Sequence, residues 1–297
     1  MKSDLVSVVV PVRNGAATLG NCLHSLLSMD FPNERREIIV VDNGSTDGTA
    51  DIIDRFPVRC VQEPRRGLSY ARNRGIEASR GWAVAFTDSD CYVDRRWLSE
   101  LVAGFADGIA ATGGEVLAYP PKTPAERYAA QRKPRWHDWT LRRSRPWFLF
   151  GNAAVARDAF ERVGRFDTSF VGGSEDIDFC WRFHSQGLAS VYRPSAVVFH
   201  HHRVSARSLF RQHLGYGRGQ RTLLRKYPDT LSWGLRDELR AWKDLGGTAR
   251  RAITAWSRAA RRGPEGDDRL DPVLDLVRKA GQRFGFVGAS FRSLLSR

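Results

Sequence analysis

The chain is poor in sulfur, with 4 cysteines and 2 methionines in 297 residues. Cys22, Cys60, Cys91 and Cys180 lie far apart and form no C-x-x-C pair. That spacing excludes a zinc-finger arrangement and a small disulfide framework, and leaves reduced core thiols as the expectation. Long apolar runs are missing as well. Stretches such as Val8 to Val10 and Ile38 to Val41 fall far short of the roughly 20 residues that cross a bilayer. Met1-Lys2-Ser3-Asp4 leads into a strand-like segment without the apolar stretch and cleavage site of a signal peptide. A cytoplasmic protein is expected, at most peripheral on the inner face of the plasma membrane. The first strand-to-helix turn, Pro11-Val12-Arg13-Asn14-Gly15, lacks the G-x-G-x-x-G that brings backbone against a dinucleotide pyrophosphate, which disfavours nicotinamide and flavin enzymes.

Acidic charge is in deficit. The 33 Asp and Glu against 47 Lys and Arg leave a formal charge of +14, which attracts nucleic acid, phospholipid or a phosphate-bearing substrate. Hydrophobic residues make up 42%, enough for an ordinary globular core. The length suits one α/β body with an appended piece.

What is present is a regular alternation. Leu5 to Val10 is a β-branched run stopped by Pro11, followed by Leu19, Leu23, Leu26 and Leu27 at helical spacing. Glu37 to Val41 repeats the strand and ends on Asp42. Asn43-Gly44-Ser45 then turns the chain, with Ser45 the expected cap of a helix carrying Ile52, Ile53 and Phe56. Val58 to Val61, Leu68 to Ala78 and Trp82 to Phe86 read as strand, helix and strand, closing on Thr87-Asp88-Ser89-Asp90. The pattern predicts an α/β fold with a mostly parallel, doubly wound sheet covered on both faces. Pro120 to Pro146 reads as a loop or irregular helix over that sheet. After it come Trp147 to Ala156, a helix near Arg157 to Val163, a turn at Gly172-Gly173, a helix from Glu175 to Gln186 and a strand near Val197.

In an open parallel sheet, ligands bind beyond the carboxyl ends of the strands, near the point where strand order reverses. Pro11 to Asn14, Asp42 and Asp88 to Asp90 fall at such ends. A carboxylate ending the second strand can accept hydrogen bonds from a base or ribose. Asp88-Ser89-Asp90 puts two carboxylates on one loop, enough to hold Mg2+ or Mn2+ together with substrate phosphates, and a metal there is a Lewis acid for a departing diphosphate. Taken alone, Asp-Ser-Asp before a helix is also a common capping arrangement.

Four blocks, in consistent order over roughly the first 200 residues, resemble family 2 glycosyltransferases of the GT-A fold. Val8-Val9-Val10-Pro11-Val12-Arg13-Asn14 and Val40-Val41-Asp42-Asn43-Gly44-Ser45-Thr46-Asp47-Gly48-Thr49 are similar to the two nucleotide-binding blocks. Gly67-Leu68-Ser69-Tyr70-Ala71-Arg72-Asn73-Arg74-Gly75-Ile76 with Phe86-Thr87-Asp88-Ser89-Asp90 is similar to the third block and the DxD motif. Gly173-Ser174-Glu175-Asp176-Ile177-Asp178 resembles the acceptor-side Glu-Asp motif. The resemblance implies a GT-A catalytic domain at 1–204, with a nucleotide-sugar half at about 1–118 and an acceptor half at about 119–204, and a basic, mainly helical region at 205–297. It also implies an inverting, metal-dependent hexosyl transfer from a UDP- or GDP-linked sugar to a hydroxyl of a glycan, glycolipid or lipid-linked saccharide. By the same resemblance Asp42 contacts the base, Asp88 the ribose or metal, and Asp90 the metal, Mn2+ or Mg2+. Pro11, Arg13, Asn14, Arg72 and Ser89 line the donor pocket. Asn43 departs from the second Asp of many members. No Gln-x-x-Arg-Trp follows the Glu-Asp motif, which points to a non-processive enzyme.

Inversion needs a base near the acceptor hydroxyl, and Asp176 is the candidate, with Glu175 the alternative. Ser174 is expected to cap the helix beginning there, whose dipole favours anionic carboxylates in its first turn. Asp178 is expected to pair with Arg182, four residues on. Val198-Phe199-His200-His201-His202 ends a strand, and alternation places His200 and His202 on one side. Members of the fold often supply a metal-ligating histidine from this region, which favours manganese. Trp136, Trp139 and Trp147 are candidates to stack on a sugar, with buried packing the alternative.

Arg207, Arg211, Arg218 and Arg221 lie beside Gly215, Gly217 and Gly219, as a flexible basic segment over the diphosphate or as a solvated helix face. Two amphipathic helices follow, one from Leu235 through Trp256 and one from Val273 through Leu294, separated by a polar linker at 263–268. Arg278, Lys279, Arg283 and Arg292 flank the second stripe, as in a helix lying on anionic lipid. Packing on the body or in a homodimer is the alternative. The rival classes are a nucleic-acid-binding protein, a nucleotidyltransferase and a non-catalytic glycan-binding relative. Acids at the strand ends repel phosphate and weigh against nucleic acid as a partner, and the short first turn weighs against nucleotidyl transfer.

Overall fold

Valine makes the first strand: all seven residues of Val6–Val12 (β1) are buried, as β-branched side chains allow in a strand covered on both faces. Val8 and Val10 enter one hydrophobic layer with Leu19, Leu23, Trp97 and Leu98, and Val9 enters the other with Ile39, Phe86, Phe150 and Phe179. This is the two-residue period of a strand dividing a core. In this computed structural model, residues 4–106, 108–132, 146–262 and 270–295 are described. Trp136, Trp139 and the 263–268 linker lie outside them.

The elements after β1 are α1 (Leu19–Leu27), β2 (Arg36–Asp42), α2 (Thr49–Ile53), β3 (Arg59–Gln62), α3 (Leu68–Ala78), β4 (Ala83–Thr87), β5 (Cys91–Val93) and α4 (Trp97–Val102). There follow β6 (Ile109–Ala118), α5 (Pro124–Gln131), β7 (Asn152–Ala156), α6 (Arg157–Val163), α7 (Glu175–Ser185), β8 (Ala189–His200), α8 (Ala206–Lys226), α9 (Leu235–Arg262) and α10 (Asp271–Leu295). The strands form one sheet in the order β3-β2-β1-β4-β7-β6-β8-β5. β3, β2, β1 and β4 are parallel; β7 is antiparallel to β4 and β6; β8 is parallel to β6, and β5 antiparallel to β8. The expected mostly parallel, doubly wound sheet is therefore present, with β2 and β3 on one side of β1 and β4 on the other.

The described residues divide into two compact units, one of 4–119, 146–168 and 175–201 and one of 120–132, 169–174 and 202–295. The second includes two pieces, 120–132 and 169–174, that precede the boundary drawn from sequence. Three of the four free cysteines are buried, but Cys60 is exposed. Trp147 packs on the second hydrophobic layer, which favours its packing reading.

In the second unit, the basic segment read either as flexible or as a helix face is one continuous helix, α8, opened by a capping box in which Ser205 and Ser208 bind each other's backbone N–H. Its glycines serve close approach. A Cβ on Gly217 would collide with the Gln282 carbonyl of α10, and one on Gly219 with the Gly173 carbonyl of the 169–174 loop. For α10, read from sequence either as lipid-facing or as packed on the body or a partner, three of the four flanking cations bear on the packing alternative. Arg278 pairs with Asp275 at 2.9 Å, Lys279 with Asp244 at 2.8 Å, and the buried Arg283 with Glu238, so these cations are held within the unit. Among the described residues no helix is long and apolar enough to cross a membrane.

Candidate functional site

The loops after β1 and β2 are laced together by side chain to backbone bonds. Asp42, the last residue of β2, is buried and accepts from the Ser45 N–H at 3.0 Å, a turn that Asp forms readily. Asn14, with φ 53°, accepts from the Thr46 N–H at 2.8 Å, and its own N–H donates to Ser45 Oγ at 2.9 Å. Gly15 N–H donates to Thr49 Oγ1 at 2.9 Å. Ser45 thus serves the loop and does not cap α2, whose N-cap is Gly48. Pro11 is buried, whereas Arg13 and Asn14 are exposed. A Cβ on Gly15 would sit 3.4 Å from Ser89 Oγ, so the first loop abuts the DxD turn.

Asn43 explains its own departure from the motif. Its amide nitrogen donates to the carbonyls of Glu63 and Arg65 at 2.9 and 2.7 Å, and its oxygen accepts from the Gly67 N–H at 2.8 Å. A carboxylate cannot donate, so this β3–α3 loop needs the amide.

The DxD turn follows β4, with Asp88, Ser89 and Asp90 all partly buried. Asp90 Oδ1 stands 3.5 Å from His200 Nε2 across the β5–β8 pair. Neighbouring donors around an octahedral ion with bonds of about 2.1 Å are roughly 3 Å apart, and an oxygen beside an imidazole nitrogen suits manganese; the pair fits a divalent cation. Among the described residues no three His, Cys, Asp or Glu side chains gather as a metal cluster, so substrate phosphates would have to complete the shell. His202 lies beyond β8 in the second unit. His201 stacks on Tyr119 at 3.9 Å between ring centroids, and Tyr119 on Tyr92 at 5.2 Å. Burial pushes the Cys22 and Cys91 thiols up, and the charges of Asp90 and Asp88 push them further, a measure of the negative field at this turn.

Arg72 of α3 joins the two acidic motifs. Buried beside Phe150 and Phe166, it reaches Glu175 Oε1 at 2.8 Å and Asp88 Oδ1 at 3.5 Å. Asp176 follows on the first turn of α7 and accepts from the Ile177 N–H at 2.9 Å. Its carboxyl is pushed up to about 7, by desolvation first and then by the Glu175 charge, with Arg72 pulling the other way. The helix dipole does not outweigh burial here. Asp178 is buried and pairs with Arg182 at 3.0 Å as its spacing predicts. Ser174 has φ 69°, outside the extended region usual for an N-cap residue.

The family model for glycosyl transferase family 2 matches residues 7–167. The chain belongs to that family. Glycosyltransferase AglE of Haloferax volcanii is 31% identical over 224 residues, 72% of this chain and 72% of AglE. The pre-mycofactocin glycosyltransferase of Mycobacterium tuberculosis is 31% identical over 239 residues, 75% of this chain but 48% of that protein, so the match spans about half of that relative. The mannosyltransferase PcManGT from Pyrobaculum calidifontis, solved in complex with GDP-Man and Mn2+, superposes with a TM-score of 0.63 at 21% identity, covering 97% of this chain and 87% of that one. The fold is GT-A, and the protein is a glycosyltransferase.

In this glycosyltransferase, sequence reasoning passed over Gly151. A Cβ there would come within 2.9 Å of Asp88 Oδ2, so residue 151 must be small for the Asp88 carboxylate to keep its place. Its position one residue before β7, directly across from the end of β4, was the available signal.

Proposed function

We propose that this glycosyltransferase moves a hexose, with inversion, from a UDP- or GDP-linked sugar to a hydroxyl of a glycan, glycolipid or lipid-linked saccharide. The observation that carries the reading is Arg72, which touches both Asp88 on the donor turn and Glu175 on the acceptor-side helix. In this reading Asp42 accepts hydrogen bonds from the base, Pro11, Arg13, Asn14 and Ser89 border the nucleotide, and Asp88 faces the ribose or metal. Asp90 and His200 would hold Mn2+ or Mg2+; His202 is the second imidazole within reach of sequence. The metal, when bound, neutralises charge on the departing diphosphate.

Asp176 takes the acceptor proton at its carboxylate. A proton affinity near neutrality suits a base, because it is substantially ionised at pH 7 yet still attracts the proton. Glu175, bound to Arg72, keeps an anion beside Asp176 and so raises its affinity. Four free thiols fit a reducing compartment, which supports the cytoplasm as the place of reaction.

The test is a screen of UDP- and GDP-sugars by thermal shift with and without Mn2+, followed by transfer assays on Asp90→Ala. A donor that binds the folded state raises its stability by about 2.7 kcal/mol at a hundredfold excess over Kd, and the shift should need the metal. Full metal-dependent transfer by Asp90→Ala would overturn the assignment of Asp90.

A further inference from the structure

Helix α9 carries an apolar edge that is largely exposed among the described residues. Leu235, Leu239, Trp242, Ile253 and Trp256 are 74, 61, 41, 67 and 65% exposed, and at 100° per residue they share an arc of about 100°. Isolated exposed apolar residues need no explanation, but a continuous stripe of this size marks an interaction surface. Phe284 of α10, also exposed, lies 6.4 Å from Trp242 and widens the stripe.

Beside the stripe, over the next arc of about 100°, come Arg236, Arg240, Lys243 and Arg250. All four are exposed, and no ion pair to a described carboxylate holds any of them. The acids of the same helix are otherwise engaged: Asp237 accepts the Gly234 N–H, Glu238 binds Trp233, Trp242 and Arg283, and Asp244 binds Lys279. Thr248 and Ala252, on the side toward α10, are buried. The helix therefore shows one face to its own unit, one apolar edge to the outside, and one edge of uncompensated positive charge.

We propose that α9 docks on an anionic lipid surface, with Leu235, Leu239, Trp242, Ile253 and Trp256 in the interface between headgroups and acyl chains and the four cations against lipid phosphates. Adjacent apolar and basic edges are the arrangement by which a helix lies in a membrane plane, and tryptophan favours that depth. A second copy of the chain is the poorer occupant, since it would bring an identical cationic edge into a protein with a formal charge of +14. Lipid contact is thereby assigned chiefly to α9, with Phe284 of α10 at its edge. The inference does not rest on the donor chemistry.

Flotation of the full chain with vesicles, in the absence of nucleotide sugar, tests it. Vesicles of phosphatidylcholine with a quarter phosphatidylglycerol should carry the protein at low salt, release it at high salt, and bind it far better than phosphatidylcholine alone. The Arg240→Gln, Lys243→Gln double variant should lose about fivefold per residue in partitioning, and Ile253→Glu with Trp256→Glu should abolish it, with both retaining the wild-type Tm. Equal binding to neutral and anionic vesicles by the wild type overturns the proposal without recourse to any variant, as does unchanged binding by the variants. So does a solution dimer that Ile253→Glu with Trp256→Glu splits while vesicles are ignored. Failure here leaves the sugar-transfer reading standing, and failure of the donor screen leaves this one standing.

Discussion

The donor loops and the acceptor helix set their polar side chains in different surroundings. Asp42 and Asn14 each accept a backbone N–H from the turn that follows β2. Asp176, partly buried, sits next to a second carboxylate, with a hydrogen bond from the adjacent Ile177 N–H and a guanidinium beyond. The first arrangement fixes a shape. The second costs stability as an anion and in return gives a carboxyl whose charge changes near neutral pH. The proposed reaction uses both, a rigid nucleotide cradle and a proton acceptor of tuned strength.

The strongest way to break the comparison is Asp176→Asn, which keeps volume and removes the proposed base. It should lower kcat by about 10²- to 10⁴-fold and leave the KM for nucleotide sugar nearly unchanged, whereas Asp42→Asn should act chiefly on that KM. Steady-state kinetics with varied donor checks both; equal effects on kcat would erase the distinction. The wild-type rate should rise with pH and level off above about 7, as Asp176 loses its proton. The stability sign is opposite. Folded Asp176 keeps its proton to about 7, while the unfolded chain releases it near the ordinary 3.8, so the folded state binds more protons in between. That contribution is full below about 4 and is lost as pH rises through about 7. Melting curves should show Asp176→Asn at or below wild type at acid pH and above it by a few degrees at pH 8.

Asn43→Asp sharpens the donor half. The substitution restores the residue common in the family but leaves the Glu63 and Arg65 carbonyls facing a carboxylate in place of two donated bonds. A loss of about 1–3 kcal/mol is expected, read as a lower midpoint in urea unfolding. The deficit should shrink as pH falls and the introduced carboxylate takes up a proton, which it can then donate.

Much of the donor half was legible because its rules are local. Runs such as Val8–Val10 mark a strand, although β1 continues through the expected stop at Pro11 to Val12, and Asp42 and Asp88 fall at carboxyl ends by counting. The acceptor half was less so. Arg72 looks like one more residue of an α3 motif, and its bond to Glu175 spans 103 positions, which no spacing rule reaches. β8 is longer than the strand expected near Val197 because its first half is polar and half-exposed, without the clean alternation that announces a strand. In α8 composition left flexibility and a helix face both open: Gly215, Gly217 and Gly219 suggest freedom, but Gly217 and Gly219 are small to admit the backbone of α10 and of the 169–174 loop. Small residues for close approach and small residues for freedom look alike until the neighbour is known.

The smallest expected effect separates shape from bonding in the donor cradle. Asn14 takes φ 53° and also accepts from the Thr46 N–H, so two substitutions differ in what they remove. Asn14→Gly keeps the left-handed backbone at ease and loses only the accepted bond, worth about 0.5–1.5 kcal/mol. Asn14→Ala loses the same bond but keeps the Cβ that glycine lacks, whose steric cost in that region is roughly 1 kcal/mol. If the turn is held by bonding alone, the two variants should melt together. If conformation matters as the structure indicates, Ala should fall below Gly, and donor KM should rise in the same order, because the loop that carries residue 14 also abuts Ser89.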